Sequence, residues 1–252
     1  MSRKKEKRQK QILHMLAEGK KKDVAALSEL LNISQVTIRK DLDELEAKGF
    51  VRRSFGYAEL NDSDDISARL AVHYDEKRRI AARAAELVQD GDTIMIESGS
   101  CCILLADVIA ASGRSVTIIT NSAFLAEYIR QYRNVQVVLC GGMYQHDSRC
   151  LVGPLVKAVS AGYHVTYFFI GTDGWSEKTG FTNKDQMRAQ AVRDMAEACE
   201  KMVILTESQK FSVVGTVPLN IPGQPYAVIT DAAISAEAEG LLKRKNIEVI
   251  TV

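Results

Sequence analysis

The chain has 252 residues, of which 46% are hydrophobic, with 33 Lys and Arg against 32 Asp and Glu. This composition is ordinary for a globular protein and supplies enough apolar material for a sizeable core. No run of about 18 apolar residues occurs, which excludes a membrane-spanning helix. The first eleven residues are highly charged and the five cysteines lack the spacing of a secreted disulfide framework, so we expect a cytoplasmic protein without a signal peptide.

The near-zero net charge conceals two differently charged parts. Residues 1–60 hold 14 Lys and Arg against 9 Asp and Glu, a balance of +5, whereas residues 61–252 hold 19 against 23, a balance of −4. The basic excess lies at the very start, in Arg3, Lys4, Lys5, Lys7, Arg8 and Lys10. Such asymmetry indicates nucleic-acid contact by the basic part, although a frayed, solvated basic tail also explains it.

Three helical patterns follow one another in residues 1–60. Apolar residues at helical spacing predict a helix over residues 12–17 and a second over 23–31, with Asp23 as its N-cap. Ser34 is the predicted N-cap of a third helix that ends near Gly49. Two helices joined by so short a turn are typical of a helix-turn-helix.

The third helix separates a packed face from a cationic start. At about 100° per residue, Ile38, Leu42 and Leu45 share the packed face, and the acidic residues begin only at Asp41. A recognition helix places its N-terminal residues on base edges and phosphates, where acids would be repelled. We therefore predict DNA contacts from Ser34, Gln35, Val36, Thr37, Arg39 and Lys40. The alternative is a three-helix protein-interaction module with a solvated helix face.

Residues 50–58 predict a short β-hairpin, the wing of a winged helix, whose Arg52 and Arg53 would hold DNA phosphates. The run Ser-Gln-Val-Thr-Ile-Arg-Lys-Asp-Leu at 34–42, together with the paired arginines and Gly56, resembles the winged helix-turn-helix of the DeoR family of bacterial sugar-operon regulators. We accordingly divide the chain into a DNA-binding domain at 1–60, a polar linker at 61–74 and a sensor and oligomerisation domain at 75–252.

The third of these parts alternates helical and strand patterns. Seven short apolar strands are predicted at 93–96, 116–119, 135–139, 165–170, 202–205, 227–229 and 247–250. This alternation predicts an α/β domain with a largely parallel sheet, whose ligands bind beyond the carboxyl ends of the strands.

Small, hydroxyl-rich or glycine-rich turns follow five of these strands. They are Glu97-Ser98-Gly99-Ser100-Cys101, Thr120-Asn121-Ser122, Gly141-Gly142, Gly171-Thr172-Asp173-Gly174 and the segment that contains Lys210. Backbone amides at a helix N-terminus, helped by serine hydroxyls, form an anion site suited to phosphate. Five such turns in succession predict a pocket that includes these residues.

The same turns are similar to those of the DeoR-family sensor domain, which shares its fold with ribose-5-phosphate isomerase and the coenzyme A transferases. The resemblance implies a phosphorylated sugar or polyol as effector, with phosphate and hydroxyl contacts from Ser98, Gly99, Ser100, Thr120, Asn121 and Lys210. It also implies that Asp173 orients sugar hydroxyls and that Gly141 and Gly142 let the backbone approach the ligand.

Four departures from the family pattern accompany this resemblance. One is that Glu207-Ser208-Gln209 replaces the family's Asp-Ser-Ser. Glu97 stands where aspartate is usual, and Cys101 replaces a hydroxyl residue in the phosphate turn. Met187, Arg188 and Arg193 stand where the family often has Glu and Lys facing the pocket. The ligand is expected to differ accordingly.

Two other functions fit parts of the sequence. Glu97, Asp173 and Lys210 are residue types that an isomerase could use as acid, base and clamp. Cys101, Cys102 and Cys140 suggest a redox- or metal-responsive regulator, although adjacent cysteines lack the spacing of a zinc knuckle.

The sequence as a whole predicts a transcriptional repressor of a carbohydrate-catabolism operon that leaves operator DNA when its effector binds. We expect a homo-oligomer, dimer or tetramer, without membrane partner, cofactor, metal site or catalytic residue. The identity of the effector and its action as inducer or co-repressor are left open at this point.

Overall fold

The computed structural model describes residues 3–17, 21–47, 51–54, 56–60, 65–221, 223 and 225–252. These residues form two compact units, Met1–Tyr74 and Asp75–Val252. Gly49, the predicted end of the third helix, and Phe50 and Phe55 of the predicted hairpin lie outside the described residues. No helix in the described part of the chain is both long and apolar enough to cross a lipid bilayer.

The first unit is a winged helix-turn-helix, as predicted. Its elements are α1 (Arg3–Ala17), β1 (Lys22–Asp23), α2 (Val24–Leu31), α3 (Gln35–Ala47), β2 (Val51–Ser54), β3 (Tyr57–Leu60) and α4 (Ile66–Ala71). Strands β2 and β3 pair antiparallel as the wing, and β1 pairs with the other side of β3. Gly56 turns the hairpin with a φ of +84°, a conformation that glycine adopts without steric cost.

Side-chain caps start α2 and α3 where the sequence predicts them. The Asp23 carboxylate accepts a hydrogen bond from the Ala26 amide at 2.6 Å, and the Ser34 hydroxyl accepts one from the Thr37 amide at 3.3 Å. Asn32 ends α2 in the left-handed region, which asparagine tolerates better than most residues. These local devices fix the tight turn between α2 and α3.

The packed face of α3 is also as predicted. Ile38, Leu42 and Leu45 are buried in one core with apolar residues of α1 and α2. Residues 61–74, predicted as a linker, contain the short helix α4, which starts at the N-cap Asp65. Six residues are too few for a helical period to be visible in the sequence.

Helix α1 neutralises part of α3. Arg8 pairs with the buried Asp41, to whose Oδ1 its Nη2 donates at 3.0 Å, and Lys5 pairs with Glu44. The hydrogen bond to Asp41 raises the pKa of Arg8. Two cations of the basic N-terminal run therefore bind acidic side chains within the unit, a role that neither interpretation of this run predicted.

The second unit is an α/β domain, as predicted. Its helices are α5 (Tyr74–Ala85), which begins at the unit boundary, α6 (Ser100–Ala111), α7 (Ala123–Tyr128), α8 (Pro154–Ser160), α9 (Gln186–Ala196) and α10 (Ala236–Arg244), with a 3₁₀ helix at Ser208–Ser212. Its strands are β4 (Thr93–Ile96), β5 (Val116–Thr120), β6 (Val135–Leu139), β7 (Met143–Gln145), β8 (Cys150–Val152), β9 (Val165–Ile170), β10 (Gly174–Ser176), β11 (Gly180–Asn183), β12 (Cys199–Leu205), β13 (Val217–Pro218), β14 (Ala227–Thr230) and β15 (Glu248–Thr251).

All seven predicted apolar strands lie in one parallel sheet of order β15-β14-β12-β9-β4-β5-β6. From β4 the chain proceeds outward through β5 to β6, and from β9 it proceeds outward on the other side to β15. The direction of winding thus reverses between β4 and β9. In open α/β sheets the loops diverge at such a switch point and leave a ligand crevice at the carboxyl ends of the strands.

Strands β7 and β8 form a separate antiparallel hairpin. Gly142, which opens it, has a φ of +145°, and a Cβ at this position would lie 2.5 Å from the Val152 carbonyl oxygen. A Cβ on the neighbouring Gly141 would meet only the Leu155 side chain, at an ordinary 3.6 Å. The glycine at 142 is thus required by close packing within the hairpin, a reason different from the ligand approach predicted for it.

Substitution of these two glycines tests the packing explanation. Gly142→Ala is expected to lower the free energy of unfolding by about 2–4 kcal/mol, because it combines backbone strain with a steric clash. The matched variant Gly141→Ala is expected to change it by no more than about 0.5 kcal/mol. Urea denaturation followed by circular dichroism measures both values, and equal losses in the two variants would contradict the explanation.

Candidate functional site

The first turns of α3 present an exposed, cationic surface. The Val36 side chain is 61% exposed, and Arg39 and Lys40 are exposed beside it. The Arg39 guanidinium donates to Gln35 Oε1 at 3.4 Å, and the Thr37 hydroxyl lies 2.9 Å from that of Ser34. The side chains predicted to contact DNA therefore share one surface at the helix start.

The two wing arginines are held by acidic neighbours. Arg52 donates two hydrogen bonds to Glu59 Oε1, at 2.7 and 3.0 Å, and these hydrogen bonds are the largest cause of the lowered pKa of Glu59. Arg53 pairs with Asp43 of α3. Arg53 is thus tied to α3 and Arg52 to β3 within the wing, and a DNA phosphate would have to compete with a carboxylate for each of them.

At the switch point of the sheet, the Glu97 carboxylate joins two strand exits. One oxygen, Oε1, accepts from the Ser98 hydroxyl at 2.9 Å, whereas Oε2 accepts from the Gly99 amide at 2.8 Å and the Gly171 amide at 3.1 Å. A Cβ on Gly99 would lie 3.2 Å from the Gly171 Cα, so the loops after β4 and β9 approach too closely for larger residues. The buried Glu97 carboxylate therefore brings together three residues from two of the predicted turns, Ser98, Gly99 and Gly171.

A second ionic group lies beside the first turn of α6. The Lys77 ammonium, with its side chain 2% exposed, is 3.1 Å from Glu207 Oε1, and the Cys101 thiol donates to Glu207 Oε2 at 3.9 Å. Burial raises the pKa of Glu207, but the charges of Lys77 and Lys210 outweigh it and lower the pKa overall. The group connects α5, the first turn of α6 and the loop after β12.

The turn after β5 contacts the β7–β8 hairpin. Asn121 Nδ2 donates to the Leu151 carbonyl at 3.1 Å, and Ser122 pairs with Cys150 in an isolated antiparallel bridge. The buried Asn121 Oδ1 has no hydrogen-bond partner among the described residues. Ser122 caps α7 through the Leu125 amide, at 3.0 Å, and the Thr120 hydroxyl accepts from the Ser122 amide. Asn121 Oδ1 is therefore a buried acceptor of this turn that a ligand hydroxyl would satisfy.

The start of α9 brings a buried arginine towards the same region. Arg188 is 3% exposed, and its Nε lies 4.0 Å from Oδ1 of the N-cap Asp185. Burial raises the pKa of Cys150, while hydrogen bonds from Ser148 and Ser98 and the charge of Arg188 lower it. The neighbours of the Cys150 thiol therefore include Ser98, which precedes α6, and Arg188 of α9.

The remaining predicted residues are occupied in loop packing. The Asp173 carboxylate is buried and accepts from the Lys184 amide at 3.0 Å. A Cβ on Gly174 would lie 2.3 Å from the Val213 carbonyl oxygen, so this glycine serves the contact with residues 213–215.

Four of the five cysteines are buried, and Cys199 is partly buried. Burial raises the pKa of Cys140 and of Cys199 to about 11, and Cys102 donates to the Phe169 carbonyl at 3.6 Å. Thiolates are the reactive and metal-binding form of cysteine. Within the described ranges no group of three or more His, Cys, Asp or Glu side chains could hold a metal ion.

Lys77 is the principal site residue that sequence reasoning missed. It precedes Ile80 and Ala81 by three and four positions, so it continues the apolar stripe of α5. A lysine on the buried face of an amphipathic helix is the available signal, because a buried ammonium needs a charged partner. Arg188 was noted as a departure from the family pattern but not as a site residue.

Comparisons with known proteins agree with this architecture. The DeoR-like helix-turn-helix domain model matches residues 8–64, and the DeoR C terminal sensor domain model matches residues 72–232. The HTH-type transcriptional regulator GolR of Listeria innocua serovar 6a is 29% identical over 90% of this chain and 91% of its own length. A relative from Escherichia coli O157:H7, whose name describes an aga operon transcriptional repressor, is 27% identical over 97% and 93%.

Among solved structures, ribose 5-phosphate isomerase A from Neisseria gonorrhoeae is 19% identical to this chain. The match covers 55% of this chain and 53% of the isomerase chain, with a TM-score of 0.41.

The two family models together cover most of the chain, one on each structural unit. The resemblance drawn from the sequence motifs is confirmed, and the chain belongs to the DeoR family of transcriptional regulators.

Proposed function

We propose that the chain is a cytoplasmic repressor of a carbohydrate-catabolism operon, which a phosphorylated sugar or polyol releases from operator DNA. In this proposal the first unit binds the operator, and the second binds the effector and assembles as a homo-oligomer. One observation carries it. The start of α6, with the Ser98-Gly99-Ser100 turn, opens at the switch point of the sheet beside Lys77 and Lys210.

The exposed start of α3 supports the DNA-binding part. Arg39 and Lys40 are exposed there, while the acids of the helix's later half pair with α1 and the wing. Thr37, Arg39 and Lys40 would probe the major groove, with Ser34, Gln35 and Val36 alongside, and Arg52 and Arg53 would hold phosphates.

The arrangement of donors supports a phosphorylated effector. The amides that begin α6 and the hydroxyl of Ser100 suit a phosphate, and Lys210 supplies a half-buried cation. The unpartnered Oδ1 of Asn121 suits a ligand hydroxyl, since a buried acceptor is costly to leave without a donor. Together these groups favour a ligand that carries both a phosphate and hydroxyls.

The site is poorly arranged for catalysis. Both Glu97 oxygens accept hydrogen bonds from groups of their own loop or of the loop after β9. Asp173 accepts from the Lys184 amide, and Glu207 is paired with Lys77. A general base needs a lone pair directed at the substrate, and these carboxylates direct theirs at the protein. We therefore propose no enzymatic role for them.

Release from DNA requires an effector that binds two states of the oligomer differently. Two winged helices in one oligomer contact two half-sites only at a matching separation. An effector that stabilises sensor domains in another arrangement would hold the helices at the wrong separation. Its occupancy would then lower operator affinity without touching the DNA.

Arg39→Ala and Lys40→Ala test the DNA contacts. Duplexes selected by the purified protein from a randomised pool supply the binding sequence. Each variant is expected to bind it about 5- to 150-fold more weakly, since a base or phosphate contact contributes about 1–3 kcal/mol. Fluorescence anisotropy at two salt concentrations measures the loss. Arg130→Ala, an exposed arginine of the second unit, is the control, and equal affinity of all four proteins would contradict the assignment.

The two acids that pair with the wing arginines give a test in which DNA affinity should rise instead of fall. Glu59→Gln and Asp43→Asn are expected to increase DNA affinity several-fold and to steepen its salt dependence, because they free Arg52 and Arg53 for phosphates. Each pair has one partner that is more than half exposed. Such ion pairs contribute little to stability, so the fold should persist. Glu237→Gln removes an exposed acid of the second unit and serves as control. An unchanged salt dependence would show that the wing does not hold phosphates.

Lys210→Ala tests the effector site. Thermal unfolding of the unmodified protein against a panel of sugar and polyol phosphates identifies the effector, which should raise Tm by several degrees at about 100 times its Kd. Lys210→Ala is expected to lose most of that shift and the effector's influence on DNA while binding DNA normally. Lys243→Ala, an exposed lysine of α10, should respond like the unmodified protein. A full response of Lys210→Ala would refute the assignment.

A further inference from the structure

Four large apolar side chains of the second unit are exposed near one another. Leu139, Met143, Leu155 and Met187, which we call the hairpin face, are 43%, 62%, 57% and 36% exposed. Gly141, which lies between Leu139 and Met143 in the chain, approaches the Leu155 side chain. Met187 lines a surface cavity of about 420 Å³ together with Gly153 and Pro154, which immediately precede Leu155.

Such a face is unusual on a protein that meets only water. Single exposed apolar residues are ordinary, but a contiguous group marks a contact surface. Leucine and methionine lose favourable burial energy here, and methionine adapts well to the shape of a partner. The exposure therefore indicates a partner that covers the hairpin face.

The charges around the face favour a second copy of the same chain. Lys157 and Asp194 line the cavity, and Lys157 forms a 2.8 Å ion pair with Glu197 beside it. A two-fold interface brings the same patch of each copy together, so a rim that carries both signs lets opposite charges meet, whereas a rim of one sign would repel itself. A partner of one strong charge would instead meet like charges on part of this rim.

We propose that the hairpin face is the surface through which two copies of this chain associate. The proposal rests on the proposed function in one respect, since a repressor with one winged helix per chain needs a second copy to contact two half-sites. It goes further in naming the surface. Apolar side chains at its centre with a mixed polar rim are typical of subunit interfaces.

The face is built on the same elements as the effector pocket. Gln145 of the hairpin donates to Asp185 Oδ1 at 3.1 Å, and Asp185 caps the helix that carries Met187 and the buried Arg188. The Ser148 hydroxyl donates to Gln145 Oε1 at 3.0 Å and lies 3.1 Å from the Cys150 thiol. These hydrogen bonds connect the hairpin to the N-cap of α9.

Sedimentation of the full-length protein tests the surface. Leu155→Glu and Met143→Glu place a charge at its centre and are expected to weaken self-association at least 100-fold. Val214→Glu is the matched control, because Val214 is also an exposed aliphatic residue but lies outside the face. All three positions are exposed, so the variants should fold, and unchanged far-ultraviolet circular dichroism verifies this.

Two results would overturn the proposal. One is that the unmodified protein is monomeric at about 50 µM, a typical concentration for sedimentation. The hairpin face would then contact another partner. The other is equal assembly of Leu155→Glu, Met143→Glu and Val214→Glu. Binding of each protein to a duplex with one half-site separates this outcome from failure of the proposed function. A dimer that selects no DNA sequence refutes the proposed function alone, whereas a DNA-binding protein whose assembly ignores both glutamates refutes the surface alone.

Discussion

The reversal of strand order between β4 and β9 is the constraint on which the second unit depends. Because the strands are parallel, their carboxyl ends lie at one edge of the sheet, and the connections diverge where the order reverses. The Glu97 carboxylate holds the two diverging loops together through the amides of Gly99 and Gly171. Its acid group is therefore a structural element of the pocket. This close approach explains the glycine at 99, where a Cβ would lie 3.2 Å from the Gly171 Cα.

The first unit divides its charges between structure and DNA. The acids in the later half of α3 pair with Arg8, Lys5 and Arg53, while Arg39 and Lys40 at the helix start remain exposed. Internal neutralisation prevents these acids from repelling phosphates close to the recognition surface. The same pairing fixes the wing next to α3, so one set of contacts positions the unit's two cationic surfaces.

Sequence reasoning succeeded for the structural elements that depend on a local pattern of residues. Spacing, capping and apolar runs predict helices α1 to α3, the N-caps Asp23 and Ser34 and the seven strands of the sheet. The five turns were found because strand ends are marked by small residues. Helix α4 was missed because six residues are too few to show a helical period of apolar residues. Gly142 was predicted to let a ligand approach, because the sequence does not show that the Val152 backbone packs against it.

The sequence by itself determined the family, the order of elements and the residue types at each strand end, because these are properties of short segments. Tertiary structure alone decided which of these residues meet. Lys77 lies 130 positions from Glu207, and only folding brings the two charges together in a site from which water is largely excluded. The hairpin face likewise combines residues from three separate segments. A buried ion pair and an exposed apolar face depend on contacts between distant segments, and such contacts have no period or spacing in the chain.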